Sequence, residues 1–128
     1  MPGTKEIGAA GERAALRYLR RRGFKPLEQN LRIGRLGELD IVMLHKGVLV
    51  FVEVKARLAA ETIGGLDNIT AAKQRQLVKL AGLYMKRQTG KHGAPKYKAV
   101  RFDAVEVVFA DERLKRCEVK HLPDAFRP

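Results

Sequence analysis

The 128-residue chain has one cysteine, no tryptophan, three tyrosines and five phenylalanines. With Cys117 alone, no disulfide can form within the chain, and such usage fits a reducing compartment. The scarcity of aromatics argues against a platform that stacks unpaired bases on rings. No apolar run nears the ~20 residues a membrane helix needs, and residues 1–10 hold no apolar core of a secretion signal. His45, His92 and His121 lack zinc-ligand spacing, and no Walker-type glycine loop is present. Acids are scarce too, 14 Asp and Glu against 26 Lys and Arg, for a net charge of +12. These absences predict a soluble, cytoplasmic protein with no membrane partner.

What is present suits one globular domain spanning 1–128. Hydrophobic residues make up 45% of the chain, enough for a core without disulfide or metal staples. The excess charge is evenly spread: residues 1–57 carry 12 basic and 6 acidic side chains, and residues 58–128 carry 14 and 8. A domain basic throughout attracts polyanions, among which nucleic acid is the commonest.

Residues 6–22 read as a helix, with Ile7, Ala10, Ala14 and Tyr18 on one stripe and Arg13, Arg17 and Arg20 on another. Gly23 stops it. A strand over 24–33 is predicted at a sheet edge because Pro26 cannot donate to a ladder. Segments 36–44 and 48–54 are stronger strands, joined through His45-Lys46-Gly47 as a hairpin. Residues 57–68 read as a loop containing Gly64-Gly65, with Asp67, Asn68 and Thr70 as candidate caps for a second helix. Leu77, Leu80, Ala81 and Tyr84 are that helix's apolar face. A basic loop over 88–98 precedes a strand over 100–109, and 117–121 forms a short extra strand. The order αβββαβ predicts an α/β fold, a mixed central sheet flanked by helices.

The hairpin carries the chemistry. Side chains alternate along a strand, so Glu38 and Asp40 share a face, as do Glu53 and Lys55. If Lys46-Gly47 is a two-residue turn, paired positions sum to 93, setting Asp40 opposite Glu53 and Glu38 opposite Lys55. Two carboxylates so close either raise one pKa or hold a cation. Oxygen ligands without thiolate or imidazole suit Mg²⁺ or Mn²⁺ better than zinc. The alternative is a set of ion pairs on a solvated sheet face. Glu12, among Ala15, Leu16 and Leu19 on the first helix, is a carboxylate on an inward-facing arc. Either the hairpin patch or a nearby arginine would partner it.

These residues resemble a known pattern. Glu53-Val54-Lys55 after an apolar strand, with Asp40 on the preceding strand, is similar to the PD-(D/E)XK nuclease superfamily, and the element order to its restriction-endonuclease-like core. A closer resemblance is to the YraN-like family of small bacterial proteins. Gly11-Glu12-Arg13-Ala14-Ala15, Asn30-Leu31-Arg32, Gly37-Glu38-Leu39-Asp40-Ile41-Val42, Phe51-Val52-Glu53-Val54-Lys55-Ala56-Arg57 and Arg101-Phe102-Asp103-Ala104-Val105 carry it. The resemblance implies that Asp40, Glu53 and the Val54 carbonyl hold a divalent metal, and that Lys55 orients or activates the attacking water. Glu12 resembles the helical glutamate that completes the metal site of archaeal Holliday-junction resolvases, which implies branched DNA as substrate and a homodimer. Glu38 belongs to the YraN-like motif without a superfamily-wide role. The chain departs from the superfamily pattern in lacking a proline before Asp40.

The expected function is therefore a Mg²⁺- or Mn²⁺-dependent endonuclease acting on DNA. Arg57, Lys73 and Arg75 are placed to meet phosphate, and Lys91 and Lys96 to contact nucleic acid from the basic loop. Two rivals stand beside it: a non-catalytic nucleic-acid-binding module on a nuclease fold, and a small RNA-associated structural protein. Fold likeness alone does not decide among them.

Overall fold

A computed structural model describes residues 2–61 and 69–128. Its elements run α1 (Thr4–Arg21), β1 (Lys25–Ile33), β2 (Gly37–His45), β3 (Val48–Leu58), α2 (Ala71–Gln88), β4 (Ala99–Phe109) and β5 (Cys117–Phe126). They form a five-stranded sheet in the order β1-β2-β3-β4-β5. β3 and β4 are parallel, joined by the crossover that contains α2, and the other neighbours are antiparallel. This is the mixed α/β architecture expected, consistent with a restriction-endonuclease-like fold, and β1 with Pro26 is an edge strand. Among the described residues no helix is long and apolar enough to cross a membrane.

Each sheet face buries one helix. Ile7, Ala10, Ala14, Ala15 and Leu19 of α1 pack on Ile41, Met43, Val50, Val52, Val105 and Val107. Leu77, Leu80, Ala81 and Tyr84 of α2 pack on Val42, Leu49, Phe51 and Phe102. Alternation along β3 sends Val50 and Val52 to one helix and Leu49 and Phe51 to the other, as a period of 2 requires. The Lys46-Gly47 turn has φ of 50° and 77°. Positive φ at both positions is the two-residue geometry that matches strand twist, and the observed pairs from His45↔Val48 to Ile41↔Val52 sum to 93 as predicted.

Three boundaries differ from the expectation. Arg57 and Leu58 extend β3, because the parallel ladder with β4 runs on to Leu58↔Phe109. β5 continues to Phe126, five residues past the predicted end, with a register shift between Phe102 and Ala104 that absorbs Pro123 and the left-handed Asp124. α1 begins at Thr4 rather than residue 6, with Gly3 donating its N–H to Glu6 at 3.4 Å. Thr70 caps α2 by accepting from the Lys73 N–H at 3.1 Å; Gly64, Gly65, Asp67 and Asn68 lie outside the described residues.

One glycine sets how closely α1 sits on the sheet. A Cβ on Gly11 would overlap the Cβ of Ala56 on β3 and meet Val107 at 3.9 Å, whereas one on Gly8 would meet nothing within 4 Å. Glycine inside a helix ordinarily costs ~1 kcal/mol relative to alanine. Gly8→Ala is thus expected to stabilise the protein by about 0.5–1 kcal/mol. Gly11→Ala should do the reverse, by about 1–3 kcal/mol, because the overlap forces α1 away from β3. Urea unfolding of the two variants checks this; equal stabilisation by both would show that α1 does not need the close approach.

Candidate carboxylate site

The site lies where two strands part. The β2–β3 ladder ends at Ile41↔Val52, while β2 stays paired with β1 and β3 with β4. Asp40 and Glu53 are the first residue of each strand beyond the last pair, at the mouth of this fork. Asp40 Oδ2 accepts the Val54 N–H at 2.9 Å, a donor that the parting of the strands would otherwise leave facing the fork. Glu53 is buried, with 8% of its side chain exposed. Burial first, then the neighbouring Asp40 carboxyl, pushes its pKa up to about 8 against the opposing pull of Lys73.

Glu12 reaches the same cluster from α1. Burial first, then the charges of Asp40 and Glu38, push its carboxyl up to about 7, while the nearby Asn30 side-chain amide pulls the other way. Its Oε1 is buried without a hydrogen-bond partner among the described residues. Asn30 stands at φ 49° in the middle of β1, a left-handed conformation that asparagine tolerates better than most residues. The docking of α1 at Gly11, one residue away, is what brings Glu12 within reach.

Lys55 shares the α2-side face of β3 with Glu53 and lies in register with Glu106 of β4. Lys73, from the first turn of α2, places its Nζ 3.3 Å from Glu53 Oε2. Arg57 is engaged internally, 3.7 Å from Glu106 and donating to the Glu61 carbonyl at 2.8 Å. Arg75 is exposed beside Lys79 in a groove between α2 and the end of β5.

One expectation is corrected. Glu38 was placed opposite Lys55, but the β2–β3 ladder stops at Ile41↔Val52, before that position. Glu38 faces Arg32 of β1 in register and lines a polar groove with Glu12, Lys5, Arg13, Gln29 and Asn30. Lys91 and Lys96 are exposed on a loop whose end is tied to the β2–β3 turn by Lys98 N–H donating to Gly47 O at 2.8 Å. Gly47 is six residues before Glu53, ~20 Å at ~3.3 Å per residue. The sequence reading gave Asn30 no role and read Lys73 as a phosphate contact rather than a partner of Glu53. An asparagine inside a predicted strand was the available signal for the first. The second had no local signal.

The donor set fits a hard divalent cation. It is all oxygen, the buried Glu53 lies at the fork with Asp40, and the Glu12 Oε1 is buried without a hydrogen-bond partner among the described residues. No group of three or more His, Cys, Asp or Glu side chains stands in ligating geometry among the described residues. The ligands would therefore be Asp40, Glu53 and the Val54 carbonyl, with Glu12 completing the set only by a further approach.

Burial of Glu53 has a stability consequence of definite sign. Its folded-state pKa lies above the ordinary 4.5, so its contribution to stability is complete below about 4.5 and is lost as the pH rises through about 8. Glu53→Gln removes that loss. In EDTA the variant should gain about 2 kcal/mol over wild type at pH 9 and little at pH 5. Thermal unfolding at both pH values measures it, and a gain that does not grow with pH would contradict the buried-carboxyl account.

The fold is of the mixed α/β class, with Asp40 and Glu53 at the fork between β2 and β3. Within that class the chain belongs to the uncharacterised protein family UPF0102, whose model matches residues 11–107. It is 35% identical over 122 residues to a UPF0102 protein of Caldanaerobacter subterraneus, covering 95% of each chain. It is 40% identical over 116 residues to one of Symbiobacterium thermophilum, covering 91% of this chain and 93% of the relative. A UPF0102 protein of Pelotomaculum thermopropionicum is 43% identical over 123 residues, covering 95% and 96%. The matched span contains Glu12, Asp40, Glu53, Lys55 and Lys73.

Proposed function

We propose that this protein is a divalent-metal-dependent endonuclease of the PD-(D/E)XK kind, acting on DNA. The observation that carries the reading is the convergence of Asp40 and Glu53 at the strand fork, with Lys55 on the same face of β3 as Glu53. Surface pairs on a solvated sheet do not need a glutamate buried to 8% exposure beside an aspartate. Asp40, Glu53 and the Val54 carbonyl would hold Mg²⁺ or Mn²⁺, which supplies Lewis acidity and a bound water of lowered pKa. Lys55 orients the attacking water from its Nζ and offers positive charge where the phosphate gains negative charge. Asp40 is itself held by the Val54 N–H, so its second oxygen keeps one orientation. Glu12 borders the groove that contains Lys5 and Arg13, cations suited to the phosphates of a bound strand. The net charge of +12 favours such binding along the whole molecule.

The deciding experiment is a cleavage assay on linear duplex, flap and four-way-junction DNA in Mg²⁺, Mn²⁺ or EDTA. Metal-dependent cutting that Lys55→Ala abolishes supports the reading, and preference for the junction supports branched DNA as the substrate. Salt-sensitive binding with no cutting in either metal, unchanged by Lys55→Ala, would assign the protein instead as a binding module on this fold.

A further inference from the structure

Lys73 stands where a cation at the carboxylates would be most in conflict with it. Its Nζ is 3.3 Å from Glu53 Oε2, an oxygen the proposed ligand set requires. The two partners differ in freedom: 38% of the lysine side chain is exposed against 8% of the glutamate. The Lys73 backbone is fixed by the Thr70 cap at 3.1 Å, while its ammonium rides on a flexible four-carbon stem. A divalent ion and an ammonium at one shielded oxygen repel strongly. Of the two, the lysine can move. The first turn of α2 carries no acidic residue to receive it, so its free direction is outward to solvent. Arg75 and Lys79 already stand on that helix beside an open groove.

Resting on the reading above, we propose that Lys73 is a displaceable internal cation. It neutralises and orients Glu53 while the carboxylates hold no metal, then gives up Glu53 when a divalent cation binds and turns its ammonium to a phosphate of the nucleic acid. Lys73 is a positioning residue in the first state and a phosphate contact in the second. The metal-free site thereby keeps Glu53 in a ligating orientation without leaving a buried charge unpaired. The exchange also makes metal and polyanion binding mutually supportive, since each occupies a partner that the other releases.

The test uses the full chain as wild type, Lys73→Met, Arg75→Met and Asp40→Asn. Arg75→Met removes the same charge from the same helix without touching Glu53. Free Mn²⁺ measured by electron paramagnetic resonance should show affinity about tenfold tighter in Lys73→Met and less than twofold tighter in Arg75→Met. Fluorescence anisotropy of a labelled duplex in Ca²⁺ should show Lys73→Met binding DNA several-fold more weakly, the opposite sign to its effect on metal. In ¹³C-methylated protein, the lysine signal absent from Lys73→Met should shift on adding Mg²⁺. Equal Mn²⁺ affinities in the two methionine variants, or a Lys73 signal that Mg²⁺ leaves in place, would overturn the exchange alone. Mn²⁺ binding that is absent from wild type, or unchanged by Asp40→Asn, would overturn the metal site and the exchange together.

Discussion

Asp40→Asn is expected to lower metal-dependent DNA cleavage by at least ~10²–10³-fold, the scale of losing one group that stabilises developing charge. The substitution is close to isosteric. The asparagine carbonyl can still accept the Val54 N–H that Asp40 Oδ2 accepts at 2.9 Å, so the fork should keep its shape. What changes is the second oxygen, which becomes an amide nitrogen that cannot ligate a cation. A binding readout separates this from a folding defect. At a Mn²⁺ concentration ~100 times its dissociation constant, wild type should gain about 2.7 kcal/mol of stability by linkage, and Asp40→Asn should gain almost none. A variant that keeps the full Mn²⁺-induced rise in Tm would show that the ion binds elsewhere. One that loses the rise yet still cuts would remove the carboxylate pair from the chemistry.

The second large effect lies across the sheet from α2 and concerns stability alone. Asp103 is fully buried and receives four hydrogen bonds. Arg101 donates to Oδ1 at 2.7 Å and to Oδ2 at 2.9 Å. His121 Nε2 lies 2.7 Å from Oδ2, necessarily as donor to an ionised carboxylate, and the Asp124 N–H donates to Oδ1 at 3.0 Å. These contacts gather at the β4–β5 register shift, where Asp124 has φ 54°. Asp103 therefore ties the irregular half of β5 to the sheet. Asp103→Ala should cost about 3–5 kcal/mol, since it leaves a half-buried guanidinium and an imidazole without their acceptor. The fall in Tm should be roughly 10–20 °C. Urea unfolding followed by circular dichroism would measure the loss, and one below ~1 kcal/mol would mean that β5 is held by its ladder and not by this clamp.

The pH dependence of that clamp has the opposite sign to that of Glu53. Burial alone would raise the Asp103 pKa, but the hydrogen bonds from His121, Arg101 and Asp124 more than offset it and hold the carboxyl below its ordinary 3.8. Its contribution is thus complete above about 3.8 and is lost as the pH falls through the depressed folded-state value. Acid should loosen β5 first, while raising the pH through about 8 should weigh on Glu53.

Much of this molecule was legible in one dimension. The apolar run in 48–54 and the 3.6-residue stripe of Leu77, Leu80, Ala81 and Tyr84 are local patterns, and both reappear as buried faces. Lys46-Gly47 set the hairpin register because a two-residue turn with positive φ leaves the strands one way to pair. Register and alternation together put Asp40 beside Glu53. Where the reading went astray, continuation was assumed: Glu38 was extrapolated down a ladder that ends at Ile41↔Val52, and β3 and β5 were stopped short of partners that prolong them.

The sequence by itself determined the order of elements, the two helix faces, the hairpin register and the meeting of two carboxylates, because each depends on residues a few positions apart. Only the tertiary structure decided that Glu12 comes near enough to feel the charge of Asp40, since that turns on how closely α1 docks at Gly11 against Ala56. It also decided that Lys73 closes on Glu53 across a 20-residue separation, and that Asp103 holds β5 through His121 and Asp124. Such contacts leave no periodic trace in the chain. Their partners are chosen by the distance between packed layers and by loop closure, and both exist only once the sheet has formed.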